Sequence, residues 1–507
     1  MLQRTAIIDI GSNSARLVIF EKTSTYGFHL ICEQKSKVRI GEGAYHKEGY
    51  LQPIGIKRAY LTLKSFIHTI KKYRADKTIC VATSALRDAP NGENFVQWIK
   101  KELALSIDII DGHKEAFYGG IAAVNLLPIS EGISVDIGGG SSDMSLIQEG
   151  QIIDTYTLNL GTVRLKELFF DTGDKPVIAS QKAMAYIKDA LQALPEHFKH
   201  SLAIGIGGTA RTLAKGVMKR IDYPLDKLHA FSFEISEQKE YLQAIPLSSA
   251  KNLKHFGLKK NRYDTIREGT LIFNAILEHI EAKEVISSAV GVREGLFLNH
   301  LLKSNMLKFP IDINPSMVSI LDRFKPLIPL AKNKKNKLQT ASTLYDTLQE
   351  VIGDHGRYQK ELSLAVKLSS IGKTLTIYRS HQHAFYIAMQ ELNYGLTHRE
   401  IVLISMLLRM HGKSLLHKTP FSNYIPLLPQ EKNLLWLNFI YALTILLHEA
   451  SHSATFRFHY DNKTLRIISD KPLYLTKEKI KTLQKPIPFA IIIEDEHHIP
   501  SSKILEI

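Results

Sequence analysis

The sequence predicts two copies of one α/β unit facing each other across a cleft, followed by a separate, mostly helical domain. Three observations predict it. Two stretches of chain each begin with three short strand-like runs and then alternate helix with strand. Each stretch opens on nearly the same phrase, Asp9-Ile10-Gly11-Ser12 in one and Asp136-Ile137-Gly138-Gly139 in the other. Beyond residues 308–315, which hold two prolines, the chain turns predominantly helical.

In the first copy, residues 5–10, 15–21 and 28–35 are apolar or β-branched runs in succession. Residues 51–73 place Leu51, Ile54, Leu61, Leu63, Phe66, Ile67 and Ile70 on a mostly helical period. Residues 78–83 read as a buried strand. Asn91 stands as an N-cap before a helix over 95–103, residues 107–110 form another strand and 114–127 another helix. The second copy repeats the order. Strands are expected at 133–137, 142–147 and 151–158, with Glu149-Gly150 as a tight hairpin turn. Helices follow at 163–170 and 179–194, then a strand over 201–206 and a helix over 209–217. After the break, the lysine-rich residues 332–337 read as a solvated loop or helix end, and 342–447 as mainly helical. Asp461-Asn462-Lys463 marks a hairpin between 456–460 and 464–468, and 486–493 is expected as a last strand. The expected domains are therefore 1–127, 128–306 and 307–507.

The chain has 507 residues, more than one core normally serves, so several domains are expected. With 44% apolar and 23% charged residues it is globular rather than disordered. No stretch approaches the ~18 uninterrupted apolar residues of a membrane span. The N-terminal residues run straight into a strand pattern and lack the features of a signal peptide. Cys32 and Cys80 are the only cysteines, too few for a disulfide framework or a four-cysteine zinc site, and a reducing cytoplasm is expected. A formal charge of +15 favours anionic partners. Nucleic acid, acidic membrane and inorganic polyanions all satisfy that charge.

The chemistry is concentrated in the glycine turns. Asp9-Ile10-Gly11-Ser12-Asn13-Ser14 and Asp136-Ile137-Gly138-Gly139-Gly140-Ser141 each sit between two strands. Such turns bring backbone N–H groups close to a ligand, and with the serine hydroxyls they can surround phosphate oxygens. The aspartates Asp9 and Asp136 can hold a metal ion directly or through water, and magnesium prefers such oxygen ligands beside phosphate. A pair of plain β-hairpins would show the same glycines, but two matching loops opening two matching units favour a ligand. Gly205-Ile206-Gly207-Gly208-Thr209 adds a loop that opens a helix, a natural anion site. Gly291-Val292-Arg293-Glu294-Gly295 carries a weaker signal that reads equally as a surface helix start.

Asp111-Gly112-His113-Lys114-Glu115-Ala116 follows a strand and opens a helix between the two copies, which places it beside the cleft. Glu115 there can orient and deprotonate a water. From spacing alone it reads first as a first-turn carboxylate favoured by the helix dipole. Arg87 also follows a strand and can clamp phosphate or pair with Asp88.

The DIGSNS, ATSALRDA, DGHKEA, DIGGGS and GGT segments occur here in the order found in the exopolyphosphatase/guanosine pentaphosphate phosphohydrolase family, which the chain resembles over almost all its length. DIGGGS alone points only to the wider actin, sugar kinase and chaperone superfamily. The resemblance implies duplicated actin-like (ribonuclease H-like) ATPase-superfamily α/β domains, in agreement with the repeat. It implies Glu115 as catalytic residue. It implies phosphate binding by Gly11, Ser12, Asn13, Ser14, Arg87, Gly138, Gly139, Gly140, Ser141, Gly207, Gly208, Thr209 and Arg211. Relatives usually carry a glutamate two residues past the serine of the second loop. Asp143 stands there in this chain and keeps the charge on a shorter arm, giving Asp9, Asp136 and Asp143 as the metal set.

The helical domain resembles a degenerate HD phosphohydrolase domain. Ser369 and Ser370 stand where the His-Asp pair belongs, and His381, His383 and His411 persist nearby. Without the central ligands a structural or polyanion-binding role is expected. His448-Glu449-Ala450-Ser451-His452 matches the H-E-x-x-H zincin pattern, but no third ligand follows at an obvious spacing.

The expected activity is hydrolysis of terminal phosphoanhydride bonds of inorganic polyphosphate or guanosine pentaphosphate, with Mg2+ as cofactor. The C-terminal domain would hold the distal part of a long chain. Neither nucleic acid nor membrane is expected as a partner, and homodimers among relatives make that assembly open to this chain. A kinase of the same superfamily, a non-catalytic phosphonucleotide sensor and a zinc protease are the rivals.

Overall fold

The computed structural model of the chain describes residues 3–44, 48–325, 334–414, 421–450 and 454–495. It divides into two compact units, Met1–Ser319 with Asn393–Leu396, and Ile320–Leu392 with Thr397–Ile507.

The first unit is built on two sheets. One contains β1 (Gln3–Ile10), β2 (Ala15–Lys22), β3 (Phe28–Ser36), β4 (Lys77–Ala82) and β5 (Asp108–Ile109), in the order β3-β2-β1-β4-β5. The other contains β6 (Gly132–Ile137), β7 (Ser142–Gln148), β8 (Gln151–Leu158), β9 (Leu202–Ile206), β10 (Ser232–Glu234) and β11 (Glu284–Ser287), in the order β10-β11-β9-β6-β7-β8. Read from the other edge, the second order is the first with one antiparallel strand, β10, added. Both sheets begin with an antiparallel meander and continue through parallel partners, β1 to β4 in one and β6 to β9 in the other. Even the irregularity repeats: the register slips after the fifth residue of β2, at Ile19, and after the fifth residue of β7, at Leu146. The first unit is a duplicated α/β fold.

The central strands bury both faces, which is why β1 and β6 read as near-continuous apolar runs. Two helices, Gly112–Leu126 and Val292–Leu301, lie between the sheets. Ile121, Ala122 and Leu126 of the former pack with Ile7, Val18 and Val81 of the first sheet. Its Ala123 packs with Ile147, Ile204 and Ile286 of the second. The two helices touch backbone to backbone: a Cβ at Gly295 would lie 1.9 Å from the Tyr118 carbonyl oxygen.

Several local expectations shift. The strand expected over 107–110 contracts to Asp108–Ile109. The expected helix over 163–170 is an α-turn, Thr162–Leu165, followed by a π-helical turn, Lys166–Phe170. Asn91 sits at its N-cap position but makes no cap. Its amide instead pairs with the backbone of Leu51, accepting from N–H at 2.9 Å and donating to the carbonyl at 3.1 Å. Glu149 and Gly150 both take positive φ, 48° and 67°, as a tight hairpin turn requires.

The second unit is mostly helical, with Lys334–Ile352, Gln359–Leu368, Ser380–Glu391, His398–Met410 and Glu431–Ala450 as its main helices. Thr397 caps His398–Met410 in a reciprocal box with Glu400. Trp436, fully buried, stacks on Phe489 at 5.7 Å. β12 (Phe456–Asp461), β13 (Thr464–Ser469) and β14 (Ala490–Asp495) form a small sheet, with Asn462 and Lys463 at positive φ in the first turn. The last strand thus starts four residues later than expected, beyond Pro486 and Pro488. Lys332 and Asn333 of the lysine-rich stretch lie outside the described residues, as do Ser451 and His452. Among the described residues no helix is long and apolar enough to cross a membrane.

Candidate active site

The two glycine turns are closed alike. Gly11 N–H donates to the Ser14 carbonyl at 3.1 Å, and Gly138 N–H to the Ser141 carbonyl at 2.9 Å. They meet in space: a Cβ on Gly139 would sit 2.7 Å from the Ser12 Cβ. Ser12 is buried, with its hydroxyl 3.1 Å from that of Ser84. The third loop joins them where β9 runs into the helix Gly207–Arg220. Gly207 takes φ +78°, and a Cβ there would lie 2.0 Å from Asp136 Oδ1. Glycine is thus required both by conformation and by the approach of the aspartate.

These turns enclose a cavity of about 160 Å³. Gly11, Ser12, Asn13 and Ser14 line it from the first loop, and Gly138, Gly139 and Ser141 from the second. Gly207, Gly208, Thr209 and Arg211 line it from the third, and Asp9, Asp136 and Glu115 complete the set. Three of the sequence-derived residues do not line it. Gly140 turns its carbonyl outward to accept from Arg164 Nε at 3.0 Å. Asp143 lies fully behind the wall, 2% exposed. Arg87 is drawn back onto Asp88 at 3.4 Å, Glu115 Oε2 at 3.7 Å and the Ile110 carbonyl at 3.2 Å. Of the two readings of Arg87, the pairing with Asp88 is present, and the side chain does not line the cavity.

Glu115 lies in the first turn of the helix held between the sheets, where Asp111 caps by accepting from Lys114 N–H at 2.8 Å. The Ser145 hydroxyl donates to the Ala116 carbonyl at 2.6 Å and fixes this turn against β7. The Glu115 side chain is 14% exposed, and its Oε2 has no hydrogen-bond partner. Burial, then the charges of Asp143, Asp136 and Asp9, push its pKa well above the usual carboxylate range against the pull of Arg87. Asp143 is lifted to about 7 by burial and by Asp136, and its Oδ1 is likewise unpartnered. Burial also raises Asp9 and Asp136.

Asp9, Asp136 and Glu115 line this pocket, Glu115 Oε2 without a hydrogen bond and 3.7 Å from Arg87, and Asp143 is buried behind them, a carboxylate set that fits a cation. Among the described residues, no group of three or more Asp, Glu, His or Cys side chains gathers as a ligand cage. The donor set suits an ion held by few protein oxygens, with waters and phosphate oxygens completing its shell, as magnesium is.

Cations line the cavity as well. Arg16, Lys35, Arg262 and Arg293 line the cavity with Arg211, and the sequence singled out only the last. Arg211 is aimed by its Nε on the Ser288 carbonyl at 2.8 Å. Arg262 Nε donates to Thr212 Oγ1 at 3.0 Å, and its guanidinium lies so close over Gly208 that a Cβ there would be 1.7 Å from Nη2. Arg293, 6% exposed, stands between Asp9 at 4.0 Å and Glu33 at 3.3 Å. The Gly291 loop is therefore not a surface helix start. It is a buried one, with Glu294 accepting from Gly291 N–H at 2.8 Å. The glycine-Arg-Glu-glycine spacing was the available signal; nothing local marked Arg16, Lys35 or Arg262.

In the second unit the His381 and His411 rings stack at 6.0 Å. His448 is buried, with Nε2 2.8 Å from Thr340 Oγ1, and Glu449 pairs with Lys479 at 2.8 Å.

The profile of the Ppx/GppA phosphatase family matches residues 18–304. The bifunctional 3-dehydroquinate synthase/phosphatase of Fusobacterium nucleatum is 30% identical over 297 residues, 56% of this chain but 44% of that protein's length. The guanosine-5'-triphosphate,3'-diphosphate pyrophosphatase of Aeromonas hydrophila is 26% identical over 417 residues, 80% of this chain and 79% of its own. Among solved structures, the Ppx/GppA family member of Aquifex aeolicus superposes with a TM-score of 0.51 at 27% identity, covering 60% of this chain and 99% of that one. An exopolyphosphatase from Cytophaga hutchinsonii shares the fold, with a TM-score of 0.55 at 23% identity over 61% of this chain and 100% of its own. With a duplicated α/β fold, three converging glycine loops and a family match over more than half its length, this chain belongs to the Ppx/GppA phosphatase family.

Proposed function

We propose that the chain hydrolyses the terminal phosphoanhydride bond of inorganic polyphosphate or of guanosine pentaphosphate, with magnesium as cofactor. The observation that carries this reading is the Glu115 carboxylate, largely buried, unpartnered at Oε2 and lining a cavity closed by three N–H-rich loops. Backbone N–H groups of Ser12 to Ser14, of Gly139 to Ser141 and of Gly207 to Thr209 donate to the oxygens of the terminal phosphoryl group, while those of Gly11 and Gly138 close their own turns. Arg211, Arg16 and Arg262 balance its charge from the cavity lining. Glu115 accepts the proton of the attacking water, and Arg87 holds that carboxylate in place. Asp9 and Asp136, which line the cavity, would hold magnesium with Asp143 buried behind them, and the ion would there neutralise charge on the phosphate oxygens. Phosphoryl transfer asks for placement and charge stabilisation, and these residues provide both. The elevated pKa of Glu115 belongs to the carboxylate cluster taken by itself. A cation bound beside it would lower that pKa and favour the carboxylate form.

The test is phosphate release from both substrates by purified full-length protein with magnesium and no acceptor. Glu115→Gln should lower kcat at least ~10²-fold, the usual scale for a general base, with folding intact. Undiminished turnover in that variant would sink the assignment. Tight binding without release would favour a sensor, and release that requires an acceptor would favour a kinase.

A further inference from the structure

The helix Gly112–Leu126, which carries Glu115 in its first turn, is held at its two ends by different parts of the fold. Near the first turn the holds come from the second sheet. Ser145 of β7 donates its hydroxyl to the Ala116 carbonyl at 2.6 Å, and His113 Nδ1 lies 3.0 Å from the Thr155 carbonyl of β8. The last carbonyls of a helix lack partners within it, and no basic residue stands in this last turn. The Leu126 carbonyl instead accepts from two distant donors, His229 Nε2 and the Gly395 N–H, each at 2.8 Å. His229 Nδ1 accepts from Ala289 N–H at 3.2 Å, which leaves Nε2 as the donor.

Gly395 belongs to a four-residue segment, Asn393–Leu396, that joins two helices of the second unit and yet packs as part of the first. Ser316 Oγ accepts from Asn393 N–H at 3.2 Å and from Tyr394 N–H at 2.9 Å. Asn314 Nδ2 donates to the Tyr394 carbonyl at 2.7 Å, and Lys227 Nζ to Asn393 Oδ1 at 2.6 Å. The Tyr394 ring stacks on Phe28 of β3, in the first sheet, and meets His229 edge to face, with centroids 5.7 Å away in both cases. It packs on the same apolar cluster as Ile121, Ala122 and Leu126 of the Glu115 helix.

The composition of that helix gives weight to its end holds. Gly112, Ala116, Gly119, Gly120, Ala122 and Ala123 are among its buried residues. Small side chains let neighbours approach closely but leave shallow ridges, so packing alone resists a slide or a tilt weakly. Glu115 stands about 16 Å along the axis from Leu126, and a tilt of about 4° about that far end would move it by about 1 Å. A displacement of about 1 Å at a reacting group can cost ~10²-fold in rate.

We infer that Tyr394 is a positioning residue for Glu115. Through Gly395 and the Phe28 stack it fastens the far end of the helix to the first sheet, while β7 and β8 fasten the near end to the second. The Glu115 carboxylate is thereby set against both glycine turns at once. The inference rests on the hydrolase reading for its effect on turnover; the hold on the helix is independent of that reading.

The experiment compares full-length wild type with Tyr394→Leu, Tyr394→Phe, Glu115→Gln and the double variant Tyr394→Leu/Glu115→Gln. Phosphate release from tripolyphosphate and guanosine pentaphosphate with magnesium, thermal unfolding, and amide hydrogen exchange at Gly395 and over residues 112–126 are measured. Tyr394→Leu should lower kcat roughly tenfold, change KM less than about twofold, and speed exchange at Gly395 and along the helix. Tyr394→Phe keeps the ring and should match wild type. On the Glu115→Gln background the Leu substitution should cost nothing further, because both changes act on one carboxylate. If Tyr394→Leu does not fold, Ser316→Ala loosens the same segment and carries the same tests. An unchanged kcat, a rise in KM in place of the fall in kcat, or the full loss repeated on Glu115→Gln would each overturn the inference. If wild type releases no phosphate from either substrate, the hydrolase reading falls, and exchange still decides the hold: unchanged protection over 112–126 in Tyr394→Leu would remove it too.

Discussion

Arg16 and Asp143 occupy the same place in the two copies of the fold and carry opposite charge. Each follows the last serine of its glycine turn by two residues, and each faces a strand-ending aspartate across an antiparallel pair, Arg16 opposite Asp9 and Asp143 opposite Asp136. In one copy Arg293 and Arg16 oppose the rise that burial gives Asp9. In the other, burial raises Asp136 and Asp143 alike and Asp136 raises Asp143 further, so two acids face each other where a cation would fit.

Exchanging those charges should separate two kinds of defect. Asp143→Asn is expected to raise the magnesium concentration needed for half-maximal phosphate release, with a loss of roughly tenfold to a hundredfold at limiting metal. Arg16→Gln is expected to raise KM and leave the magnesium requirement unchanged. Steady-state rates over a magnesium series for both variants check this, and identical responses would refute the division.

A second expectation concerns pH. Partial burial and the neighbouring Arg16, Arg262, Lys37 and Arg211 lower the Lys35 pKa from 10.5 to about 8. The charged, anion-binding form is present below that value and is lost as pH rises through it. KM should therefore climb between pH 7.5 and about 9. Lys35→Arg keeps its charge and should flatten that limb, as a pH series of KM will show.

Glu268 is fully buried, and it pairs with Arg267 at 3.7 Å. Burial raises its pKa from 4.5 to about 7. The folded state then holds a proton that the unfolded state has released, so stability should fall as pH rises from about 4.5 to about 7 and stay low above. Glu268→Gln should remove that slope and gain up to about 3 kcal/mol at pH 8. Thermal or urea unfolding at pH 5 and pH 8 decides it; a parallel slope in the variant would assign the pH dependence elsewhere.

Gly208→Ala should act on binding and hardly on stability. The new Cβ meets the far end of the flexible Arg262 side chain, which can swing away. Removing Arg262 by Arg262→Ala should give a similar rise in KM, and the double variant should be no worse than either alone. Additive losses would show that Gly208 and Arg262 act independently.

The sequence exposed what is local. A glycine turn and a strand-ending aspartate each leave their mark within a few residues, so the loops and the repeat were legible, whereas Glu115 was marked out by the family resemblance. The cationic lining was not legible. Arg16 lies in an ordinary strand, Lys35 at the end of an edge strand and Arg262 in a short 3-10 turn, and only the closing of the two sheets brings them together. Arg293 lay in a motif too short to weigh. The π-helical turn after Leu165 and the Leu51 pairing of Asn91 likewise follow from tertiary packing that no window of sequence contains.

The helix bearing Glu115 is clamped between both sheets and pressed backbone to backbone on its neighbour at Gly295. A rotation of one half of the fold against the other would turn about such an axle, carrying the peripheral turns through large arcs and the axle itself through almost none. Glu115 would keep its seat while the glycine loops part.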